Sequence, residues 1–214
     1  MPTYKNLPKK KESVKNLPLY RPIDTLVHKV WTVRSKLTPF LIVVGLGLFL
    51  FFGYKAYTNH YEEKARILFQ SGENEKVASL YPRSSAAFLA RMKLGRKALD
   101  DKKYDEAIQW YAPLANQKSA ADIIHISAVQ NLALAYLKKG EGQRSVQLLE
   151  KISQDPKNVM ADYSRLLLAR TYETMGDKEK AIQIYKELSE GSATTSIRDE
   201  AKERFQWFNH QASQ

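Results

Sequence analysis

The chain has 214 residues, 43% of them hydrophobic and 27% charged, with a formal net charge of +11. That apolar content excludes a wholly disordered chain and suits one compact domain or a short repeat array. The absence of cysteine excludes structural disulfides, thiolate metal sites and a lipid-modified amino-terminal cysteine.

The charge is unevenly placed. Residues 1–36 carry nine Lys or Arg against Glu12 and Asp24, a local excess of +7 that leaves +4 for the rest. Beside an apolar segment, such a tail points to an anionic membrane surface rather than a nucleic-acid groove. The candidate membrane-surface contacts are Lys9, Lys10, Lys11, Lys29, Arg34 and Lys36. Three prolines and a lysine cluster predict an extended segment up to Pro22. Beyond it Ile23, Leu26, Val27 and Val30 recur at helical spacing, which fits either a short helix on the cytoplasmic leaflet or a helical extension of the next segment.

Residues 37–54 contain no charge, and residues 37–57 offer 21 positions with Lys55 as the single charge. A bilayer core about 30 Å thick requires about 20 helical residues, so this segment is long enough to span. Pro39 falls where its first turn would begin, and Trp31 on one side with Tyr54, Tyr57 and Tyr61 on the other suit the two interfaces. A buried core helix would retain some polar positions, and a cleaved signal peptide has a shorter basic region and a small-x-small site, so an uncleaved anchor is the reading. Residues 55–75 hold Lys55, Lys64 and Arg66 among four glutamates, so the positive tail predicts a cytoplasmic amino terminus. The body is then translocated, which in a bacterium with two membranes places it in the periplasm and the anchor in the inner membrane. Gly45 and Gly47 are not spaced as a G-x-x-x-G face, so no obligate dimer through the span is expected.

The remainder is read as helical throughout. Residues 58–86 are expected to continue the anchor helix to about Gln70 and then form a short helix ending before Pro82, together connecting helices. Residues 87–196 hold three similar units. In the last, Leu168 and Ala169 are followed by Tyr172, Gly176, Ala181 and Tyr185. In the middle one, Leu132 and Ala133 are followed by Tyr136, Gly140, Ser145 and Leu149. In the first, Leu94, Gly95, Ala107 and Tyr111 are kept, but Ala98 stands for the aromatic and Lys102 for the turn glycine. These spacings resemble the tetratricopeptide repeat. The resemblance implies a short α-solenoid of about three helix-turn-helix units, which with the one amino-terminal transmembrane helix makes an all-α fold. A capping helix over 197–214 places Ile197, Ala201, Phe205 and Phe208 on one face.

No constellation for catalysis is found. His28, His60, His125 and His210 are scattered, no Walker or G-x-S-x-G pattern occurs, and Asp100, Asp101, Asp105 and Glu106 fit a solvated turn. The chain therefore reads as a binding protein and not an enzyme, with no metal and no cofactor. In tetratricopeptide folds the first helix of each pair lines the inner groove. That register gives Leu89, Met92, Arg96 and Leu99, then Ser127, Gln130, Leu134 and Leu137, then Tyr163, Leu166, Arg170 and Glu173. Such a lining suits extended or partly unfolded polypeptide. The lysine and asparagine clamp by which some members of that family grip a carboxy terminus is not kept, since Met92 and Arg96 stand at the first-unit positions and Asn131 is the only matching asparagine.

In whole-chain layout the protein resembles the bacterial ancillary SecYEG translocon subunit family. This resemblance implies a membrane scaffold linking translocon subunits to periplasmic chaperones and exported polypeptides. Two other readings stay open: an assembly factor for a pilus, secretion or cytochrome-maturation machine, and a tether whose basic tail binds lipid or nucleic acid. Of these partners, other proteins and membrane lipid are expected and nucleic acid is not.

Overall fold

The computed structural model describes residues 20–116 and 122–212, with backbone alone at 20–28, 30, 32, 35, 36, 122 and 212. Among the described residues there are nine helices and no strand. They are α1 (Tyr20–Gln70), α2 (Asn74–Leu80), α3 (Ser85–Asp100), α4 (Tyr104–Ala115), α5 (Asp122–Lys139), α6 (Gly142–Ser153), α7 (Ala161–Met175), α8 (Lys178–Glu190) and α9 (Thr195–Ala212). The chain divides into two units, Met1–Asn59 and His60–Gln214. Lys9, Lys10 and Lys11 and the side chain of Lys36 lie outside the described residues.

In the first unit α1 begins at Tyr20, so Pro22 sits in the first helical turn, where a missing N–H costs nothing. No break separates residues 23–36 from the apolar stretch, which is the helical-extension alternative. Pro39 is therefore interior to the helix and not at its start, a correction to the sequence reading. Its ring removes the hydrogen bond to the carbonyl of residue 35, and Thr38 Oγ1 donates to the Arg34 carbonyl at 2.6 Å one turn away. The helix is long and apolar enough to cross a membrane, and none of its apolar window is buried. Phe40, Leu41, Phe49 and Phe52 all stand exposed.

The second unit is a chain of antiparallel helix pairs in which each helix from α2 onward packs on the next. The pairs share one turn. At Gly72, Lys102, Gly140 and Gly176 the backbone turns left-handed, with φ of 83°, 60°, 93° and 85°. The amide of each turn residue donates three residues back, and the next amide donates five residues back: Glu73 to Leu68, Lys103 to Ala98, Glu141 to Tyr136 and Asp177 to Tyr172, at 2.8–3.0 Å. This double bond satisfies the last carbonyls of the first helix and reverses the chain. Glycine meets the conformation without a Cβ penalty, whereas Lys102 adopts it under strain.

Residues 58–86, expected from sequence to be connecting helices, hold a further pair of the same plan. Seven residues before each turn stand Ala65, Gly95, Ala133 and Ala169, and five after it stand Val77, Ala107, Ser145 and Ala181, all buried. Residues 60–70 of α1, with α2, thus repeat the plan of the three later pairs. Ala65 and Val77 form a core cluster with Ala86, Ala87 and Ala90, and the clusters beyond it continue through α3–α5 and α5–α9. Small residues at these sites let the helices approach closely.

Polar contacts fix the first pair to the second. The Ser85 amide, at the start of α3, donates to the Glu62 carboxylate at 3.0 Å, and the Ala87 amide donates to Ser84 Oγ at 3.0 Å. A carboxylate and a hydroxyl at a helix amino terminus satisfy its orphan amides and complement its dipole. Arg91 is buried, and its guanidinium donates to the carbonyls of Ala78 at 3.0 Å and Pro82 at 2.9 Å, tying the end of α2 and the following loop to α3. Burial pulls its pKa below the usual arginine value. At the other end, Ala201 and Phe208 are buried, with Ile197 and Phe205 packed against the same core, so α9 closes the array through one face.

Candidate protein-binding face

The inner-face residues expected from sequence fall into three groups. Leu89 and Arg96 are exposed on α3, and Tyr163 on α7 is more than one-third exposed. Met92 and Leu134 are half-buried, with Met92 packed beside the Ala98, Tyr111 and Leu132 cluster. Gln130 and Leu166 are buried and take no part in an accessible surface.

Gln130 was expected in the groove because of its helical register, but its amide is committed elsewhere. Its Nε2 donates to Ser164 Oγ at 3.0 Å, and Asn158 Nδ2 donates to the same oxygen at 3.1 Å and to the Ile152 carbonyl at 2.6 Å. Ser164 in turn donates to the Met160 carbonyl at 3.0 Å. The small serine lets α7 approach α5 closely enough for the glutamine to bridge them, and a buried network of this kind is stable only when each member is paired. Leu166 joins the core with Val129, Leu168 and Leu149 for the same reason of close approach.

Arg170 is also engaged. Its Nε donates to Glu200 Oε1 at 2.8 Å, so the arginine expected to face a ligand joins α7 to the capping helix. Beside it, Glu173 accepts from the Tyr185 hydroxyl at 2.8 Å and pairs with Arg204. The Arg204 guanidinium lies 4.7 Å from the Trp207 ring centre, and Trp207 meets Phe208 edge to face at 4.8 Å. Trp207, for which the sequence offered no role, is thus the outer wall of this cluster. Toward the carboxy terminus the face satisfies its own charges.

Toward the amino terminus it does not. Among the described residues Arg96 pairs with Asp100 alone, at 3.7 Å and one turn along the same helix, with both side chains 69% exposed. Lys93 lies 5.9 Å from the Phe69 ring centre, and neither Lys93 nor Lys97 meets a carboxylate among the described residues. Sequence reading missed both lysines because they flank, rather than occupy, the register inherited from the repeat; the wheel position of Lys93 close to Leu89 was the available signal.

Among the described residues no group of three or more His, Asp or Glu side chains is placed to hold a metal. At the basic end of α1, Lys29 and Arg34 are exposed. Burial pushes the phenols of Tyr111, Tyr172 and Tyr185 up to about 12, so all three are neutral at physiological pH.

In comparisons with known proteins, the tetratricopeptide repeat family matches residues 163–190, the segment holding most of α7 and all of α8. No curated protein and no solved structure matches the chain. The match covers one helix pair, and its turn, hydrogen bonds and buried small residues recur in the other three. Such repeats generally mediate binding between proteins, so the chain is an all-helical repeat scaffold with one helix apolar enough to cross a membrane.

Proposed function

We propose that this protein is a single-pass membrane scaffold whose repeat array binds other proteins on the translocated side. The observation that carries the reading is the conjunction of two surfaces in one chain: an apolar helix with no buried residue in its window, and a repeat array of a type that binds proteins. A soluble monomer rarely leaves so long an apolar surface uncovered, while a bilayer supplies the missing cover. The excess of Lys and Arg before the helix orients the tail to the cytoplasm and the array to the periplasm of a bacterial inner membrane. Lys29 and Arg34, with Lys9, Lys10, Lys11 and Lys36, then contact anionic headgroups.

The layout further supports a place beside the Sec translocon, with exported polypeptides and periplasmic chaperones as partners of Leu89, Met92, Arg96, Leu134 and Tyr163. Because the chain has no cysteine, a single introduced one reports topology without ambiguity. With Lys186→Cys, a membrane-impermeant maleimide added to spheroplasts should label the protein, and with Lys29→Cys it should not. The reverse pattern overturns the orientation, and recovery of the protein in the soluble fraction overturns the anchor. Photocrosslinking from Leu89 and Tyr163 in intact cells should then capture translocon subunits, periplasmic chaperones or exported chains. A single dominant partner from a pilus, secretion or cytochrome-maturation machine would instead identify a dedicated assembly factor.

A further inference from the structure

The exposed stripe of α3 differs from the rest of the array in charge, and the difference names a kind of partner. On a helix of 3.6 residues per turn, Leu89, Met92, Lys93, Arg96 and Asp100 fall on one face with Lys97 at its edge, opposite the buried Ala87, Arg91, Gly95 and Ala98. Of the three cations, Arg96 alone has an ion pair among the described residues, to the exposed and loosely placed Asp100, while Lys93 and Lys97 line a shallow pocket with Glu73, Glu75 and Lys76 and pair with neither glutamate. Elsewhere on the first helices the arginines are matched by nearer acids: Arg66 by Glu63 at 2.6 Å, Arg165 and Arg170 by Glu187 and Glu200. Lys64 and Lys138 on other first helices also lack an ion pair among the described residues, but α3 gathers three cations within five residues, an excess that Asp100, Glu73 and Glu75 do not pair off.

We infer that this stripe seats an acidic, extended segment of a partner protein, with Lys93, Arg96 and Lys97 receiving its carboxylates and Leu89 and Met92 an apolar side chain between them. The inference rests on the scaffold reading and deepens it. Leu89 to Lys97 covers about 12 Å of helix, the reach of a few extended residues. That length accommodates two or three carboxylates alternating with an apolar residue. It is short for a polynucleotide, whose phosphates call for a longer basic track, and the apolar Leu89 and Met92 give a phosphate backbone nothing to gain. The site also differs from a grip on a free carboxy terminus, because Met92 stands where such a clamp places a lysine. Recognition here falls on internal side-chain carboxylates.

The test uses the full chain in neutral detergent micelles and a fluorescein-labelled peptide of Glu-Leu-Glu-Ala repeats, with its Lys-for-Glu counterpart and empty micelles as controls, read by anisotropy at low and moderate salt. The acidic peptide should bind at least about tenfold more tightly than the basic one, the sum expected of three exposed ion pairs. The variant K93E/R96E/K97E should lose about tenfold or more, while K178E/K186E/K202E, with the same change in net charge on exposed sites of α8 and α9, should change affinity less than about twofold. Asp100→Asn removes the internal competitor and should strengthen binding by about twofold; it also carries the test if the triple variant melts at a lower temperature.

Equal loss in both triple variants would reduce the effect to the overall field and overturn the site. Equal affinity for the two peptides would overturn the acidic preference while leaving the scaffold reading intact, since that reading stands on topology and crosslinking. Stripe-dependent binding of an oligonucleotide or of anionic vesicles in preference to the peptide would reassign the surface to those ligands. Stripe-dependent self-association would reassign it to a second copy of the chain, and no binding of the acidic peptide up to about 1 mM would end the proposal.

Discussion

The pair α3–α4 and the pair α7–α8 are built on one backbone plan and fill it with different residues. Both turn left-handed between their helices with the same two hydrogen bonds, yet the turn residue is Gly176 in one and Lys102 in the other. Both bury an aromatic ring nine residues after the turn, Tyr111 and Tyr185, the first packed on Gly95 and the last in one core cluster with Ala169. The Tyr185 hydroxyl donates to Glu173, whereas the buried Tyr111 hydroxyl has no partner among the described residues, since Leu99 stands at the place equivalent to Glu173. The family match falls on α7–α8 alone. Turn angle, close helix approach and buried small residues are thus shared by pairs whose other side chains differ.

The strongest way to break the plan is at the joint between the first two pairs. Arg91→Ala removes the donors to the Ala78 and Pro82 carbonyls and leaves a cavity in a buried site, and should cost about 3 kcal/mol, measured by urea unfolding of the full chain in micelles. Arg91→Lys should recover only part of this, since one ammonium cannot reproduce the two-carbonyl fork. A neutral outcome would mean that the joint is held by the alanine-rich core and by Glu62 instead.

Next in size is Gly95. A Cβ built there would lie 2.6 Å from Tyr111 Cζ, and Tyr111 is wholly buried and has no room to retreat. Gly95→Ala ordinarily gains about 1 kcal/mol in a helix interior; here it should instead cost about 2 kcal/mol by overpacking. The pair α5–α6 supplies the rescue, for it combines Ala133 with Leu149 at the same two places. Gly95→Ala with Tyr111→Leu should therefore be more stable than Gly95→Ala alone, and the two substitutions should be non-additive in a double-mutant cycle.

Smaller still, and of opposite sign, is Lys102→Gly. The native φ of 60° places a side chain in a region that glycine occupies freely, and Gly140 and Gly176 already do so at the matching turns. The substitution should stabilise by about 1 kcal/mol, read as a rise in the midpoint of thermal unfolding. No change would show that the strain is relieved by the interactions of Lys102 or its neighbours.

These contrasts also explain what the sequence made legible. The all-helical architecture and the three later pairs were readable, because Ala133, Ala169, Gly140, Gly176, Tyr172 and Tyr185 keep the spacing of the repeat. The pair that begins in α1 was not. Its first helix shares an uninterrupted run with the apolar segment, so Ala65, Gly72 and Val77 carried a signal of only three residues beneath the membrane pattern. Pro39 reads as a helix start when the span is counted from Leu37, and the helical spacing of Ile23, Leu26, Val27 and Val30 left open whether the helix already ran through it. The inner face was legible only in part. Register identifies which residues share a stripe, but Gln130, Leu166 and Arg170 are withdrawn by Ser164, by the core and by Glu200, all distant in sequence.

The finest distinction between the two pairs lies in their phenols. Tyr185→Phe deletes a hydrogen bond to a charged acceptor and should cost about 1.5 kcal/mol, although Arg204 remains to hold Glu173. Tyr111→Phe removes a buried hydroxyl that has no partner among the described residues, and should be neutral or stabilising by up to about 1 kcal/mol. The alkaline limb separates the two effects from mere packing. Both phenols titrate at about 12 in the folded chain against an ordinary 10, so the folded state holds its protons longer than the unfolded one. Each therefore contributes stability in full below pH about 10 and loses it as the pH rises through about 12. Either phenylalanine variant should flatten that loss by a similar amount, since burial is the leading cause at both sites. At neutral pH the two should differ in sign. Equal costs at neutral pH would mean that Tyr111 finds a partner in solution, and the contrast between the two pairs would then be a matter of sequence alone.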